Sequence, residues 1–356
     1  DMHHVDGASR NAFSDIVSEP PLVPAMLVVA YVPGFDPEWP SNTTSARVIT
    51  GLNPQQVTKL FSATGAPSYP GLGNVRGLQP LFLEQLLRFS REQGGAAPGR
   101  LADLIAIRVE RMSPDSRRVL QAVAVYGDDA KLSIIKALVT EGTDVNAAIT
   151  HLLGNGMIRQ NGEGYATGHP LVREVVAATI PAAVRRGLHA TAADVGESSG
   201  MPLEARAFHR YHAHDTFQAL ILLESVATRC AARADYPGQV TALRRCLELA
   251  RRELFRGELD DPLRAVLIFS RKLGEQLTNA GQFTDAEGVL REALDLAGPS
   301  GEDRARVLGA LAQVSKGRDR KQEAHMYLRE ALELAFESGA HELLFALEDL
   351  KKSIAV

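Results

Sequence analysis

One octet occurs three times near the end of the chain: LRRCLELA at 243–250, LREALDLA at 290–297 and LREALELA at 328–335, the last two 38 residues apart. The apolar and small residues recur at helical spacing, so each copy reads as a helix with one core-facing side. A period of this size is that of helical-hairpin solenoids, in which each unit buries its core against its neighbours. In the stretch LTNAGQFTDAEGVLREAL, Ala280-Gly281 and Phe283 mark a tight helix–helix turn, and the small Ala286 marks where the partner helix must come close. From about residue 196 every periodic segment is helical. Residues 196–356 are therefore expected to form an α-solenoid whose concave face takes a protein or small-molecule ligand.

The remainder divides in two. In 98–195, Leu101, Leu104, Ile105, Val109 and Met112 keep helical spacing, and Ser113-Pro114 caps a helix running to about Tyr126. Helices near 131–140 and 144–154 follow, the latter capped by Thr143. MIRQNGEGYATGH then reads as a hairpin around an Asn161-Gly162-Glu163-Gly164 turn. Three helices and a small hairpin, followed by more helix, make a winged-helix arrangement.

In 1–97, the apolar run AMLVVAY between Pro24 and Pro33-Gly34 reads as a strand buried on both faces, which needs cover on both faces as in a parallel α/β sheet. Only ARVIT (46–50) reads as a second strand, so the expectation is a sheet edge whose other strands precede Asp1. NPQQVTKLFSATG carries a capping box, with Asn53 as N-cap, Pro54 at the first helical position, Gln56 as the reciprocal partner and Gly65 as the stop. A helix over 80–93 follows, with Leu83, Leu86 and Leu87 on one face, and QGGAAPGR (93–100) is a linker.

Charge narrows the function. Lys and Arg number 39 against 43 Asp and Glu, a net charge of −4 that leaves no footprint for nucleic acid or an anionic membrane. Residues 98–195 hold 11 Lys and Arg against 10 Asp and Glu, and DVNAAITHLLG, the helix that would enter a DNA groove, has none of the former. Nonspecific DNA affinity rests on phosphate neutralisation, so this argues against direct DNA binding by the chain. The two cysteines, Cys230 and Cys246, form no CxxC pair and read as small buried hydrophobes in a reducing cytosol. No apolar run reaches the ~20 residues of a membrane span. A cytoplasmic protein with no membrane partner is the expectation.

Histidines are the other candidates for chemistry. His3 and His4 in DMHHVDGAS are adjacent, a spacing that does not converge on one ion as an i, i+4 pair does. His209 and His212 share a helix face in FHRYHAHD, where metal binding is again the lesser alternative.

Taken in order, sheet edge, helical lid, winged helix and repeats resemble the signal-transduction ATPases with numerous domains. These are a branch of AAA-type NTPases that includes large LuxR-type regulators and ATPase modules of bacterial Ser/Thr kinases and adenylyl cyclases. DMHHVDGAS is similar to the end of that family's Walker B strand, DDLHWADPAS, which would make Asp1 the last Walker B acid, beside Mg²⁺ and the γ-phosphate. LVVAYVPG resembles the sensor strand, with Val32 where the family commonly has Arg. GLQPLFLEQLLR resembles the lid motif GNPLFLEELLR, whose Gly-x-Pro turn lies against the nucleotide base; Pro80 matches and the glycine is displaced to Gly77. GHPLVREVV (168–176) resembles HPLVREAVY and, more distantly, the Met-His-Asp motif whose His contacts the β-phosphate of ADP. The resemblance implies that His169 is an inter-domain latch; the alternative is a cap for the helix that Pro170 starts. Arg173 reads as the ion-pair partner of an acidic neighbour. The repeats resemble tetratricopeptide repeats over 273–297 and 308–335, more loosely over 229–250, and in 208–219 His214 stands in place of the family's turn glycine.

The chain holds no GxxxxGK[ST] loop, so alone it is expected neither to bind ATP tightly nor to hydrolyse it. The resemblance implies ATP or ADP and Mg²⁺ in a longer parent whose upstream half carries that loop, with no cofactor for this chain alone. The expected fold is thus mostly α and multidomain: an α/β P-loop NTPase remnant with a helical lid, a winged helix, and TPR-like hairpins. Two alternatives stand beside the nucleotide switch: a LuxR-type transcriptional regulator with its DNA-binding domain elsewhere, and an interaction scaffold with a decayed NTPase remnant.

Overall fold

Local capping chemistry sets where several of the helices begin. The computed structural model describes all residues except 1, 6, 40–43, 65–76, 93–98, 258, 299–300 and 356. The described residues form seventeen α-helices and one two-stranded sheet, in two compact units, 1–104 and 105–356.

In the first unit a 3-10 turn (Met2–His4) precedes α1 (Gly7–Ser18), α2 (Pro54–Thr64) and α3 (Pro80–Glu92). The capping box at α2 is present: Gln56 N–H donates to the Asn53 side chain and Asn53 N–H to Gln56 Oε1, both at 2.9 Å. Val57 and Phe61 of α2, and Leu83, Leu86 and Phe89 of α3, are buried. Leu52 N–H donates to the Leu78 carbonyl (2.8 Å), which pairs the approaches to the two helices. Gly51 lies so close to the Gly77 backbone that a Cβ has no room. Gly65 and residues 93–98 of the expected linker lie outside the described residues.

The strand expected over 25–32 is not formed. The segment is irregular, and Met26, Val28 and Val32 are exposed. Among the described residues two backbone bonds reach it, Met2 N–H to the Ala30 carbonyl (2.7 Å) and the local turn bond from Phe35 N–H to the Val32 carbonyl (3.2 Å). A strand requires a neighbour along its length, and ARVIT does not supply one.

The boundary between the units falls within α4 (Leu101–Glu110); in the second unit, α5 (Pro114–Tyr126), α6 (Leu132–Leu138) and α7 (Val145–Gly154) lead into a hairpin of β1 (Ile158–Asn161) and β2 (Gly164–Thr167). The strands are antiparallel with Asn161 opposite Gly164, and Gly162 takes φ +58° in the two-residue loop. Ser113 caps α5 as its sequence predicts. The cap of α7 is Asp144, not Thr143: the Asp144 carboxylate accepts from Ala147 N–H (3.0 Å), while the Thr143 hydroxyl donates back to the Thr140 carbonyl. A carboxylate also meets the helix dipole favourably, which a hydroxyl does not.

After α8 (Pro170–Thr179), α9 (Ala182–Ser198) and α10 (Leu203–Ala213), the chain runs as helical pairs. These are α11 (Thr216–Ala232) with α12 (Tyr236–Arg256), α13 (Pro262–Asn279) with α14 (Phe283–Leu296), and α15 (Glu302–Gly317) with α16 (Lys321–Glu337), closed by α17 (His341–Ala355). The three octets lie on α12, α14 and α16, the second helix of each pair, and Leu243, Cys246, Leu290, Ala293, Leu328 and Ala331 are buried. Between paired helices the chain turns through one left-handed residue: Ala234 (φ +56°), Gly281 (φ +73°) and Asp319 (φ +56°). A single apolar core runs from α10 to α15, and a second joins α15, α16 and α17. Ion pairs connect second helices of successive pairs, with Arg251–Glu292 at 2.5 Å and Arg291–Glu323 at 3.3 Å. Such exposed pairs contribute about 0–1 kcal/mol each and chiefly favour one register. No helix among the described residues is long and apolar enough to cross a membrane.

Candidate functional site

His169 sits where β2 becomes α8. Gly168 N–H donates to the Met157 carbonyl (2.8 Å), and a Cβ at Gly168 would strike the Gly156 carbonyl, so only glycine passes between the hairpin and the end of α7. The chain leaves this point with His169 extended (φ −153°, ψ 148°), and Pro170 starts the helix. His169 Nδ1 accepts from Leu171 N–H at 3.1 Å. Histidine therefore caps α8, and the cap has a chemical consequence: Nδ1 holds a lone pair, so in the neutral ring the proton is on Nε2. His169 is exposed, which leaves an outward-facing donor at a helix N-terminus, the end that favours anions.

Arg173, one turn on, makes no ion pair among the described residues. Its Nε donates to the Ala124 carbonyl (2.9 Å) at the end of α5, and its guanidinium lies by Gly127. The expected acidic partner is replaced by orphan carbonyls of a helix C-terminus, which attract a cation just as a carboxylate does. Elsewhere in the second unit, a cleft of about 560 Å³ is lined by Val109, Arg117, Arg118, Gln121, Leu138 and Val184, among others. Arg117 is committed to the Glu110 carbonyl and Arg118 to Asp115.

Of the other residues singled out in the sequence, Asp1 lies outside the described residues. Pro80 occupies the first position of α3, exposed, in the first unit, whereas His169 belongs to the second. His214 does replace a turn glycine: it ends α10 in the left-handed conformation (φ 63°). His209 and His212 share a face of α10, and His189 of α9 packs against both. His189 went unnoticed in the sequence because its partner is 20 residues away, and an isolated His on a mixed helix carries no local signal. Among the described residues no group of three or more His, Cys, Asp or Glu could hold a metal ion.

His169 Nδ1 is thus committed to its cap, and the sequence holds no GxxxxGK[ST] loop.

Residues 265–335 match the tetratricopeptide repeat model, across α13 to α16. No curated protein matches the chain. Among solved structures it is similar to a signal transduction ATPase with numerous domains (STAND) protein with a tetratricopeptide repeat sensor from Pyrococcus horikoshii. The identity is 16%, the TM-score 0.44, and the match covers 90% of this chain and 47% of that one. The chain thus spans about half the length of that protein.

Proposed function

We propose that this chain is the regulatory part of a nucleotide-switched ATPase, with its tetratricopeptide-like repeats receiving a protein or small-molecule signal. The observation that carries the reading is the stack of hairpins matching tetratricopeptide repeats, joined in one unit to a hairpin-bearing helical subdomain that we read as a winged helix. Exposed aromatic side chains on the stack, Phe217, Phe255, Phe336 and Phe345, are of the type that interface cores use. His169 would act as the latch through Nε2–H, donating to a phosphate oxygen contributed with the upstream half. Pro80 would meet the base and Asp1 would serve Mg²⁺ in the same assembly. A switch of this kind draws its energy from the difference in affinity of two domain arrangements for ATP and ADP.

The exposed apolar run at 25–32 supports an α/β remnant, since it needs cover that the described residues do not give. The same irregularity favours a second reading, an interaction scaffold with a decayed NTPase remnant. Direct DNA reading by this hairpin-bearing subdomain gains nothing here, because α7 presents no Lys or Arg; a LuxR-type regulator with its DNA-binding domain elsewhere is a separate reading.

The deciding experiment measures release of fluorescent ADP from a protein extended upstream through a Walker A loop. His169→Ala removes both cap and latch, whereas His169→Ser keeps a capping oxygen and removes the imidazole. Faster release in both variants supports the latch. Recovery of wild-type release in His169→Ser reduces His169 to a cap, and a protein with no nucleotide affinity favours the scaffold.

A further inference from the structure

The last helix before the repeats is fastened to the first repeat-region helix by two buried histidines. His189 of α9 and His209 of α10 are 6% and 2% exposed, and their Nδ1 atoms are 2.9 Å apart. One must donate and the other accept, so neither can carry a second proton on that side. The Tyr126 ring at the end of α5 stacks on His209, with ring centroids 6.1 Å apart. Which ring donates is set by the tautomers, and the two Nδ1 atoms share a single proton. The contact thus joins α5, α9 and α10.

The surroundings oppose a positive charge. Phe208 packs edge-on against both rings, and His212 stacks on His189. Arg173 of α8 acts on both members of the pair and Arg185 of α9 on His189. His212 also acts on both; it in turn feels Arg245 and Glu248 of α12 as well as Arg185 and His214, and its own pKa is lowered, first by burial. Elsewhere along the same helices, Arg206–Glu197 and Arg210–Asp194, each 2.6 Å, connect α9 and α10, and Arg229–Glu204 connects α10 and α11. Those pairs are partly exposed.

We propose that the His189–His209 contact is an acid-sensitive fastening, which releases α9 from α10 and α5 when the pair takes up protons. A proton on the accepting Nδ1 sets two N–H groups face to face, and a charge on His189 lies under the influence of two arginines, Arg185 and Arg173. Burial, with the neighbouring charges, holds His189 down at about 3, and burial holds His209 down at about 4, against an ordinary value of 6.5. Opening restores the ordinary value. The closed form therefore holds its full advantage above about pH 6.5 and loses it as pH falls toward the folded values. With two protons taken up on opening, the open-to-closed ratio climbs by up to about a hundredfold per pH unit in that window. Release precedes general unfolding because it breaks one junction and leaves the repeat core intact.

Hydrogen exchange on the full chain, compared between about pH 7.5 and about pH 5.5 and corrected for intrinsic rates, reads this opening directly. Amides of α9 and α10 are expected to lose protection at the lower pH while those of α13 to α16 keep theirs. A His189→Asn, His209→Asn double variant, which cannot titrate, is expected to lose the pH dependence. Should that variant fail to fold, histidine-selective NMR on the wild-type chain decides, with His189 and His209 remaining neutral at pH values where exposed histidines are charged. Unchanged protection across the pH range, pH-dependent opening that persists in the double variant, or ordinary titration of either histidine near 6.5 overturns the proposal.

Discussion

The ring of Phe283 occupies the space that a side chain on Gly317 would need. A Cβ at Gly317 would lie 2.8 Å from Phe283 Cζ and closer still to Cε1, so α14 of one pair and the end of α15 in the next meet through a glycine. Gly317 is the last residue of α15, where alanine would ordinarily be favoured by up to about 1 kcal/mol. Here the aromatic ring must move out of a packed interface, at about 1–3 kcal/mol. Gly317→Ala is therefore expected to destabilise the chain despite its better helix propensity, read as a lower Tm and a lower denaturation midpoint. Phe283→Leu in the same background should recover part of the loss, since the smaller side chain vacates the site. A Gly317→Ala variant as stable as wild type would show that the ring is free to shift.

What could be read from the sequence is what short-range chemistry determines. The Asn53–Gln56 capping box, the Ser113 cap, the two-residue turn between β1 and β2, and the Gly281 turn before Phe283 all rest on residues within four positions of each other. The octets could be read because repetition triples a weak periodic signal. The run at 25–32 misled because its apolarity reports a need for cover, while strand formation depends on neighbours elsewhere in the chain. Adjacent candidates such as Thr143 and Asp144 differ by one position, finer than periodicity resolves.

The candidate site shows the same division. His169 as a helix cap was legible from His-Pro, because Pro170 announces a helix start. Arg173 was not, since its partner, the Ala124 carbonyl, is 49 positions away and backbone acceptors leave no trace in composition. The His189–His209 pair was hidden for a related reason. A buried imidazole is recognisable only once the groups that desolvate it are known.

Arg304 supports a second prediction. Its guanidinium donates to the carbonyls of Leu294 (3.3 Å), in the last turn of α14, and Gly298 (2.9 Å), just after it, and also to Glu330 of α16 through Nε (3.1 Å) and Nη2 (2.8 Å). A planar fork with several donors suits this arrangement, and a single ammonium does not. Arg304→Lys is expected to cost about 1–2 kcal/mol, much of it from carbonyls left without a donor at the end of a helix. Because carbonyl bonds are screened less than an exposed ion pair, raising salt should leave most of Arg304's contribution in place in the wild type. A Tm for Arg304→Lys equal to that of wild type would reduce the contact to a surface salt bridge.

Cys246 gives a prediction with a pH sign. It is fully buried on α12, and burial pushes its thiol up to about 12 from an ordinary 9, so the thiolate is almost absent at neutral pH. Alkylation by iodoacetamide at about pH 8 is expected to leave Cys246 unmodified in the folded chain and to modify it fully in denaturant. The raised value also links to stability. The unfolded thiol ionises first, so the folded state is undiminished below about pH 9 and loses up to about 1.4 kcal/mol per pH unit above it. Cys246→Ala removes that proton linkage at the cost of a small cavity, so the variant should be slightly less stable at neutral pH and fall off less steeply on the alkaline side. Rapid native-state alkylation of Cys246, or an alkaline limb unchanged in Cys246→Ala, would show that the second helix of this pair opens far more readily than its packing implies.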